Sequence, residues 1–161
     1  MIYLVPVCLG GVILLYLLCT AIAARAAFLR YFNRRYEGNK NLRYFTAEDF
    51  EGLDADPVSF PSGEGITLRG YLYRAKEQPS GLIIFSHGFG AGHEAYTTEI
   101  NYFAQCGFWV LAYDGAGCVH SDGSFEGFDR GPLDIKAALR FAAEDERLKA
   151  FSRIVLSLIH I

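Results

Sequence analysis

The hydrophobic positions divide the chain into an apolar N-terminal segment and a longer region in which strand and helix patterns alternate. Residues 2–24 contain no charged side chain. As a helix rising about 1.5 Å per residue they span roughly 34 Å, enough to cross the hydrocarbon core of a bilayer. A cleaved signal peptide begins with a positively charged region, and only the amino terminus supplies charge here. The pattern therefore predicts one uncleaved transmembrane anchor over residues 1–27.

The segment that follows the anchor is basic and aromatic, which is typical of a juxtamembrane linker, assigned to residues 28–55. Such an excess of positive charge prefers the cytoplasmic side, so we expect a single-pass protein of the cell membrane whose soluble part faces the cytoplasm. Alternatively, the basic side chains only touch lipid headgroups or cap the helix. The residues concerned are Arg25, Arg30, Arg34, Arg35, Lys40 and Arg43, against the single acid Glu37.

Strand patterns begin after residue 55. Two segments, 56–61 and 66–73, flank the turn residues 62–65 and predict an antiparallel hairpin. Alternation in the second arm places Ile66, Leu68 and Leu72 towards the core. Two further segments are continuous apolar runs, typical of strands buried on both faces of a parallel sheet, and they cover residues 81–85 and 108–113.

Between these apolar runs, helical spacing places Tyr96, Ile100, Phe103 and Ala104 on one face, and Gly107 lies where a left-handed cap ends a helix. This arrangement predicts a βαβ unit.

A second helix is expected to begin near Pro132, with Asp134 in its first turn facing the positive end of the helix dipole. Its predicted buried stripe comprises Ile135, Ala138, Leu139 and Ala142. Another apolar strand starts at residue 153. The chain therefore predicts an α/β fold over residues 56–155, in which an antiparallel hairpin precedes parallel βαβ units.

Charge and cysteine content narrow the function further. The 161 residues carry a formal net charge of −3 without a dominant basic block, so we do not expect a nucleic-acid partner. The four cysteines, Cys8, Cys19, Cys106 and Cys118, have no ligand-like spacing, so neither a disulfide nor a metal site is predicted. No cofactor is expected.

The first chemical motif is the turn His87-Gly88-Phe89-Gly90, which directly follows a predicted buried strand. Glycines allow a sharp bend here, and the Phe89 N–H is predicted to point at a developing oxyanion while His87 braces the loop. An ordinary glycine-rich turn is the alternative. Phosphate binding is disfavoured because neither a Walker motif nor a dinucleotide fingerprint is present.

The second motif is the glycine-rich loop of residues 113–123, which leaves the next buried strand. Together with the His-Gly-x-Gly turn, it resembles the α/β-hydrolase superfamily, in the branch of single-domain lipases, esterases and serine aminopeptidases. The resemblance covers Val58 to Val155. It implies that the loop residues are scaffold, and it leaves Val119 where a glycine is usual, a departure that affects the bend of the loop. The matching scaffold positions are Asp114, Gly117, Ser121 and Gly123.

Two further interpretations concern histidines of these loops. Ser121 lies beside His120 and Asp122, but neighbouring side chains rarely converge on one reacting atom, so no catalytic triad is predicted there. His93 is interpreted as a loop residue near the mouth of the pocket, where a substrate contact is conceivable.

The C-terminal residues differ from the superfamily pattern. In that family the fifth strand leads into Gly-x-Ser-x-Gly, followed later by an acid and a histidine, whereas no such motif occurs here. Ser157 and His160 lack flanking glycines and are rejected as catalytic residues. Residues 156–161 match the translation of a transposase end sequence used in preparing sequencing libraries, CTG TCT CTT ATA CAC ATC. The hypothesis is that this tail is non-native and that the hydrolase is truncated before its nucleophile.

The resemblance implies a membrane-anchored serine hydrolase that cleaves ester or amide bonds of a small molecule or peptide through an acyl-enzyme, and that is inactive in the truncated form. Lipase, thioesterase, peptidase and haloalkane-type chemistry are not separated by the sequence. The alternatives are a noncatalytic membrane-tethered binding module and a degenerate gene product.

Overall fold

The computed structural model describes residues 4–63, 65–75, 78–125 and 130–158. The chain divides into two compact units, Met1–Arg34 and Arg35–Ile161. The first unit is dominated by helix α1, Leu4–Tyr31. The second unit contains the sheet and the remaining helices.

Helix α1 has the length and composition of a membrane span. Within the described residues, its segment Pro6–Tyr31 is the one helix long and apolar enough to cross a bilayer, with a mean hydropathy of 2.4 and none of that window buried. A signal sequence near an N-terminus shares both properties, since each depends on a continuous apolar run.

The second unit is built on a five-stranded mixed sheet in the order β1-β2-β4-β3-β5. Strands β1 and β2 form the predicted antiparallel hairpin, β2 pairs antiparallel with β4, and β3 pairs parallel with both β4 and β5. The strands are β1 Asp54–Pro61, β2 Thr67–Arg74, β3 Gly81–Ser86, β4 Phe108–Tyr113 and β5 Ile154–Leu158.

Two helices cover opposite faces of this sheet. Helix α2, Thr97–Gln105, packs Ile100 and Ala104 against one face of β3 and β4. Helix α3, Arg130–Glu144, packs against the other face, where alternate residues of the same strands point. Strands β3 and β4 are therefore covered on both sides, as their continuous apolar sequence predicts.

The α/β architecture agrees with the prediction, and so does the end of α2, where Gly107 takes a φ of 92° after the cap residue Cys106. The predicted stripe of α3 is partly wrong. Leu139 is exposed and Ile135 only partly buried, whereas Asp134 and Ala137 are buried together with Ala138 and Ala142. The stripe is displaced because a buried hydrogen-bond network holds Asp134, which lies in the second turn rather than the first.

Strand β5 extends further than the predicted strand. It continues to Leu158, and Ser157 lies inside it opposite Phe85, so Ser157 is not on a strand-to-helix elbow. His160 lies outside the described residues. The hypothesis that residues 156–161 are non-native stays a prediction.

Candidate active site

A small cavity of about 80 Å³ opens at the carboxyl ends of β3 and β4. In open α/β sheets, ligands bind in the crevice outside the carboxyl ends of the strands, which makes this the candidate site. Both glycine-rich loops found in the sequence contribute to its walls. Its lining includes Ser86, His87, Phe89, Gly115, Cys118 and Asp134.

The turn after β3 forms the outer wall of the cavity. Gly90 takes a φ of 64°, a left-handed conformation that glycine adopts without steric cost, and Gly88 is buried beneath the turn. Phe89 is 49% exposed, and its ring meets Phe125 edge-on at 4.8 Å between centroids. The structure thus places Phe89 at the rim of the cavity. The role of its N–H in an oxyanion hole stays a prediction.

His87 joins the two loops of the site. Its Nε2 accepts a hydrogen bond of 2.9 Å from the Gly115 N–H, so the proton is on Nδ1, which donates to the Gly88 carbonyl at 2.8 Å. Burial lowers the pKa of the His87 imidazole, which favours this neutral tautomer at neutral pH. The imidazole therefore fixes the turn after β3 to the loop after β4.

Asp114 is the second link between the loops. Its Oδ1 accepts hydrogen bonds from the His93 N–H and Nδ1 at 2.9 and 2.7 Å. Its Oδ2 lies 3.1 Å from both the N–H and Nδ1 of His120. Burial alone raises the pKa of Asp114, but the hydrogen bonds from His93 and the His120 N–H lower it to about 2. Asp114 is thus an ionised carboxylate inside the protein.

The interpretation of His93 as a residue at the pocket mouth is wrong. Its side chain is fully buried, and both of its hydrogen bonds go to Asp114. The physical reason is that a buried carboxylate needs donors, and His93 supplies two from one residue. An aspartate in a glycine-rich loop after a buried strand needs hydrogen-bond donors, and this need is the signal in the sequence that points to His93 as its partner.

Ser121 is buried and has two partners of its own. Its hydroxyl donates to the Asp114 carbonyl at 2.6 Å and accepts from the Arg69 N–H at 2.8 Å. Asp122 pairs instead with the Arg69 guanidinium at 2.6 Å, and His120 faces Asp114. Ser121, His120 and Asp122 therefore do not converge, in agreement with the rejection of a local triad.

A buried ion pair in the wall of the cavity could not be predicted from the sequence. Arg130 Nε lies 3.1 Å from Asp134 Oδ1, and both Arg130 Nη2 and the Asp134 carboxylate hydrogen-bond to Ser62. The second oxygen of Asp134 accepts the Ala116 N–H at 2.8 Å. This network joins α3, the β1–β2 turn and the loop after β4. Because its members are far apart in sequence, no local motif reveals it.

Two further observations concern the chemical groups at the cavity. Burial, with the nearby carboxylates of Asp114 and Asp134, raises the pKa of the Cys118 thiol to about 12, so Cys118 stays protonated and is a poor nucleophile. Within the described ranges, no group of three or more His, Cys, Asp or Glu residues is arranged to hold a metal ion.

Comparison with known proteins gives the same architecture. The esterase Pf2001 of Pyrococcus furiosus is 22% identical with a TM-score of 0.63, over 78% of this chain and 47% of that one. The α/β hydrolase GrgF of a Penicillium species is 26% identical with a TM-score of 0.51, over 64% of this chain and 36% of that one. A polyketide transferase of Gibberella fujikuroi is 39% identical over 72 residues, which are 44% of this chain and 22% of the transferase. No family model matches the sequence.

These similarities define a class. The chain has a partial α/β-hydrolase fold and is related to that superfamily over part of its length. It spans less than half the length of the esterase structures it matches.

Proposed function

We propose that this chain is part of a membrane-anchored serine hydrolase that cleaves ester or amide bonds through an acyl-enzyme. The observation that carries the proposal is the turn after β3, which lies at the rim of a cavity at the carboxyl end of the sheet and is fixed by His87. The similarity to esterase and α/β-hydrolase structures supports it. The substrate is a small-molecule or peptide ester or amide.

In this proposal the site residues have distinct roles. The Phe89 N–H stabilises the oxyanion, which is worth about 3 to 4 kcal/mol for one donor. Gly88 and Gly90 shape the turn and His87 braces it. The loop after β4 is scaffold, through residues that fix its bends and join it to the turn. These scaffold residues are Asp114, Gly117, Ser121 and Gly123.

The nucleophile, the acid and the catalytic histidine belong, in this proposal, to a longer form of the protein. No Gly-x-Ser-x-Gly occurs among the 161 residues. Because the three catalytic groups act as a unit, the 161-residue chain by itself is expected to be inactive. The match of residues 156–161 to a transposase end supports this view.

The membrane anchor and its orientation are also part of the proposal. An apolar helix over Pro6–Tyr31 and the basic segment that follows support an anchored protein whose soluble part faces the cytoplasm. Cys106 is exposed and tests the orientation. A membrane-impermeant maleimide is expected to label Cys106 only after intact cells are permeabilised, and a Cys106→Ser variant identifies that label. Labelling of Cys106 in intact cells contradicts the orientation.

A fluorophosphonate probe tests the proposed chemistry. Membranes from the source organism are treated with the biotinylated probe, and captured proteins are identified by tryptic peptides such as residues 141–147. Recovery of these peptides, abolished by heating the membranes first, is the expected result. A protein that is present in the membranes but never captured favours the noncatalytic membrane-tethered binding module.

The role of Phe89 has a matched pair of variants in the active protein. Phe89→Pro removes the N–H, whereas Phe89→Ala keeps it and shortens only the side chain. We expect kcat to fall about 10²- to 10³-fold in Phe89→Pro and far less in Phe89→Ala. Equal losses in the two variants contradict an oxyanion role for this N–H.

A further inference from the structure

The segment just after the membrane helix contacts the site loop directly. Arg35 and Tyr36 belong to the same compact unit as the sheet. Tyr36 forms a parallel β-bridge with Cys118, in which its N–H donates to the Gly117 carbonyl at 2.8 Å and its carbonyl accepts the Val119 N–H at 2.7 Å. The segment predicted to be a linker therefore supplies a short piece of paired backbone to the loop after β4.

The Arg35 guanidinium adds a second set of bonds to the same loop. Its Nη1 donates to the Ser121 carbonyl at 2.7 Å, and its Nη2 donates to the Val119 carbonyl at 2.5 Å. Hydrogen bonds from a charged donor are roughly twice as strong as neutral ones. Together with the Tyr36 bridge, these bonds hold both the N–H and the carbonyl of Val119.

The backbone of Val119 is in a strained conformation that these contacts hold in place. Val119 has a φ of 35°, and among the described residues it is the one non-glycine residue with positive φ. A β-branched side chain in this region is strained, at a cost that persists only where surrounding contacts impose the conformation. Arg35 and Tyr36 supply those contacts, because they bind the carbonyl and the N–H of Val119 itself.

The loop that carries Val119 is also hydrogen-bonded to the turn after β3. Residues of this loop include Gly115, whose N–H binds His87, and His120, whose N–H binds Asp114. We infer that Arg35 is a positioning residue, and that the segment after the membrane helix holds the strained site loop in the geometry the cavity requires. The consequence for catalysis rests on the proposed function, whereas the ordering of the loop does not.

Hydrogen–deuterium exchange of the full chain in detergent micelles tests the inference without any turnover. We compare the unaltered chain with Arg35→Ala, with the conservative Arg35→Lys and with the adjacent control Arg34→Ala. Exchange at residues 117–121 is expected to rise about tenfold in Arg35→Ala and less in Arg35→Lys. It should not change in Arg34→Ala. Exchange in α2 should stay constant throughout, which separates a local effect from loss of the fold.

The strain at Val119 provides a second, independent arm. Glycine adopts a φ of 35° without a steric penalty from a Cβ atom. Val119→Gly therefore relieves the backbone strain against which Arg35 holds the loop. The increase in exchange caused by Arg35→Ala is therefore expected to be several-fold smaller when Val119→Gly is already present. Equal increases with and without Val119→Gly overturn the inference. So do an unchanged loop in Arg35→Ala, a matching effect of Arg34→Ala, or an equal rise in α2.

In the active protein, Arg35→Ala is expected to lower kcat with little change in KM, since it displaces the turn rather than a substrate contact. Partial recovery in Arg35→Lys is expected. If the active protein reacts with neither ester nor amide substrates, the proposed function fails while the exchange experiment still decides the role of Arg35. If KM rises and kcat is unchanged, the positioning role is wrong.

Discussion

Replacing Asp114 by asparagine removes a buried negative charge that joins the two site loops. The carboxylate is fully buried, and its pKa is about 2 in the folded chain against 3.8 for an ordinary aspartate. That gap corresponds to about 2.5 kcal/mol of stability at neutral pH. Asparagine keeps an acceptor for His93, but it turns an amide NH₂ towards the His120 N–H. We expect Asp114→Asn to lower the free energy of unfolding by about 2 to 3 kcal/mol.

The same linkage fixes the pH dependence of this difference. A carboxylate whose folded pKa is depressed stabilises the fold above the unfolded pKa, and the stabilisation is lost as pH falls through the folded pKa. The contribution of Asp114 is therefore complete above about pH 5 and has fallen by about 1 kcal/mol at pH 3. The difference in the free energy of unfolding between the unaltered chain and Asp114→Asn should therefore be smaller by that amount at pH 3 than at pH 7.

Urea unfolding of the full chain in detergent measures both effects. The single tryptophan, Trp109, lies in β4, so its fluorescence reports the sheet rather than α1. Glu99→Gln, which changes an exposed acid on α2, is the matched control and should behave like the unaltered chain at both pH values. A difference of the same size at pH 7 and pH 3, or an Asp114→Asn as stable as the control, refutes the reasoning.

Two further variants test the packing around the site by the same urea assay. Gly92→Ala places a Cβ 2.6 Å from Val119 Cγ2, so it should destabilise the chain by about 1 to 3 kcal/mol. In Gly131→Ala the added Cβ meets nothing within 4 Å, so this variant should lose no stability through a steric clash. Equal losses of stability in the two variants would contradict the close contact between residue 92 and Val119. Asp134→Leu leaves Arg130 buried without its partner and should cost about 3 to 5 kcal/mol. Adding Arg130→Met removes the unpaired charge and should recover part of that loss, while the Ala116 N–H stays without its acceptor. A double variant no more stable than Asp134→Leu contradicts the ion-pair account.

The fold could be predicted from the sequence because its core elements are local patterns. The continuous apolar runs at residues 81–85 and 108–113 indicated buried parallel strands, and Gly107 indicated the end of α2. The stripe of α3 was less accurate, since helical periodicity alone cannot detect that Asp134 is held inside by Arg130. A charged residue on the buried side of a helix depends on partners that only the tertiary structure supplies.

The site was only partly predictable for the same reason. The sequence identified both loops, because glycines beside a buried strand have a local meaning. It did not indicate that His93 is a buried partner of Asp114, or that Arg35 binds the loop around Val119. These contacts join residues distant in sequence, so their pairing depends on the order of the strands.

An independent sequence read of the source DNA across the codons for Arg153 to Ile161 and beyond tests most directly the proposal that this chain is part of a serine hydrolase. We predict an open reading frame that departs from the 161-residue sequence at or after Leu156, runs into Gly-x-Ser-x-Gly and later supplies an acid and a histidine. A read that confirms residues 156–161 followed by a stop codon contradicts the account, and leaves a noncatalytic membrane-tethered module or a degenerate gene product.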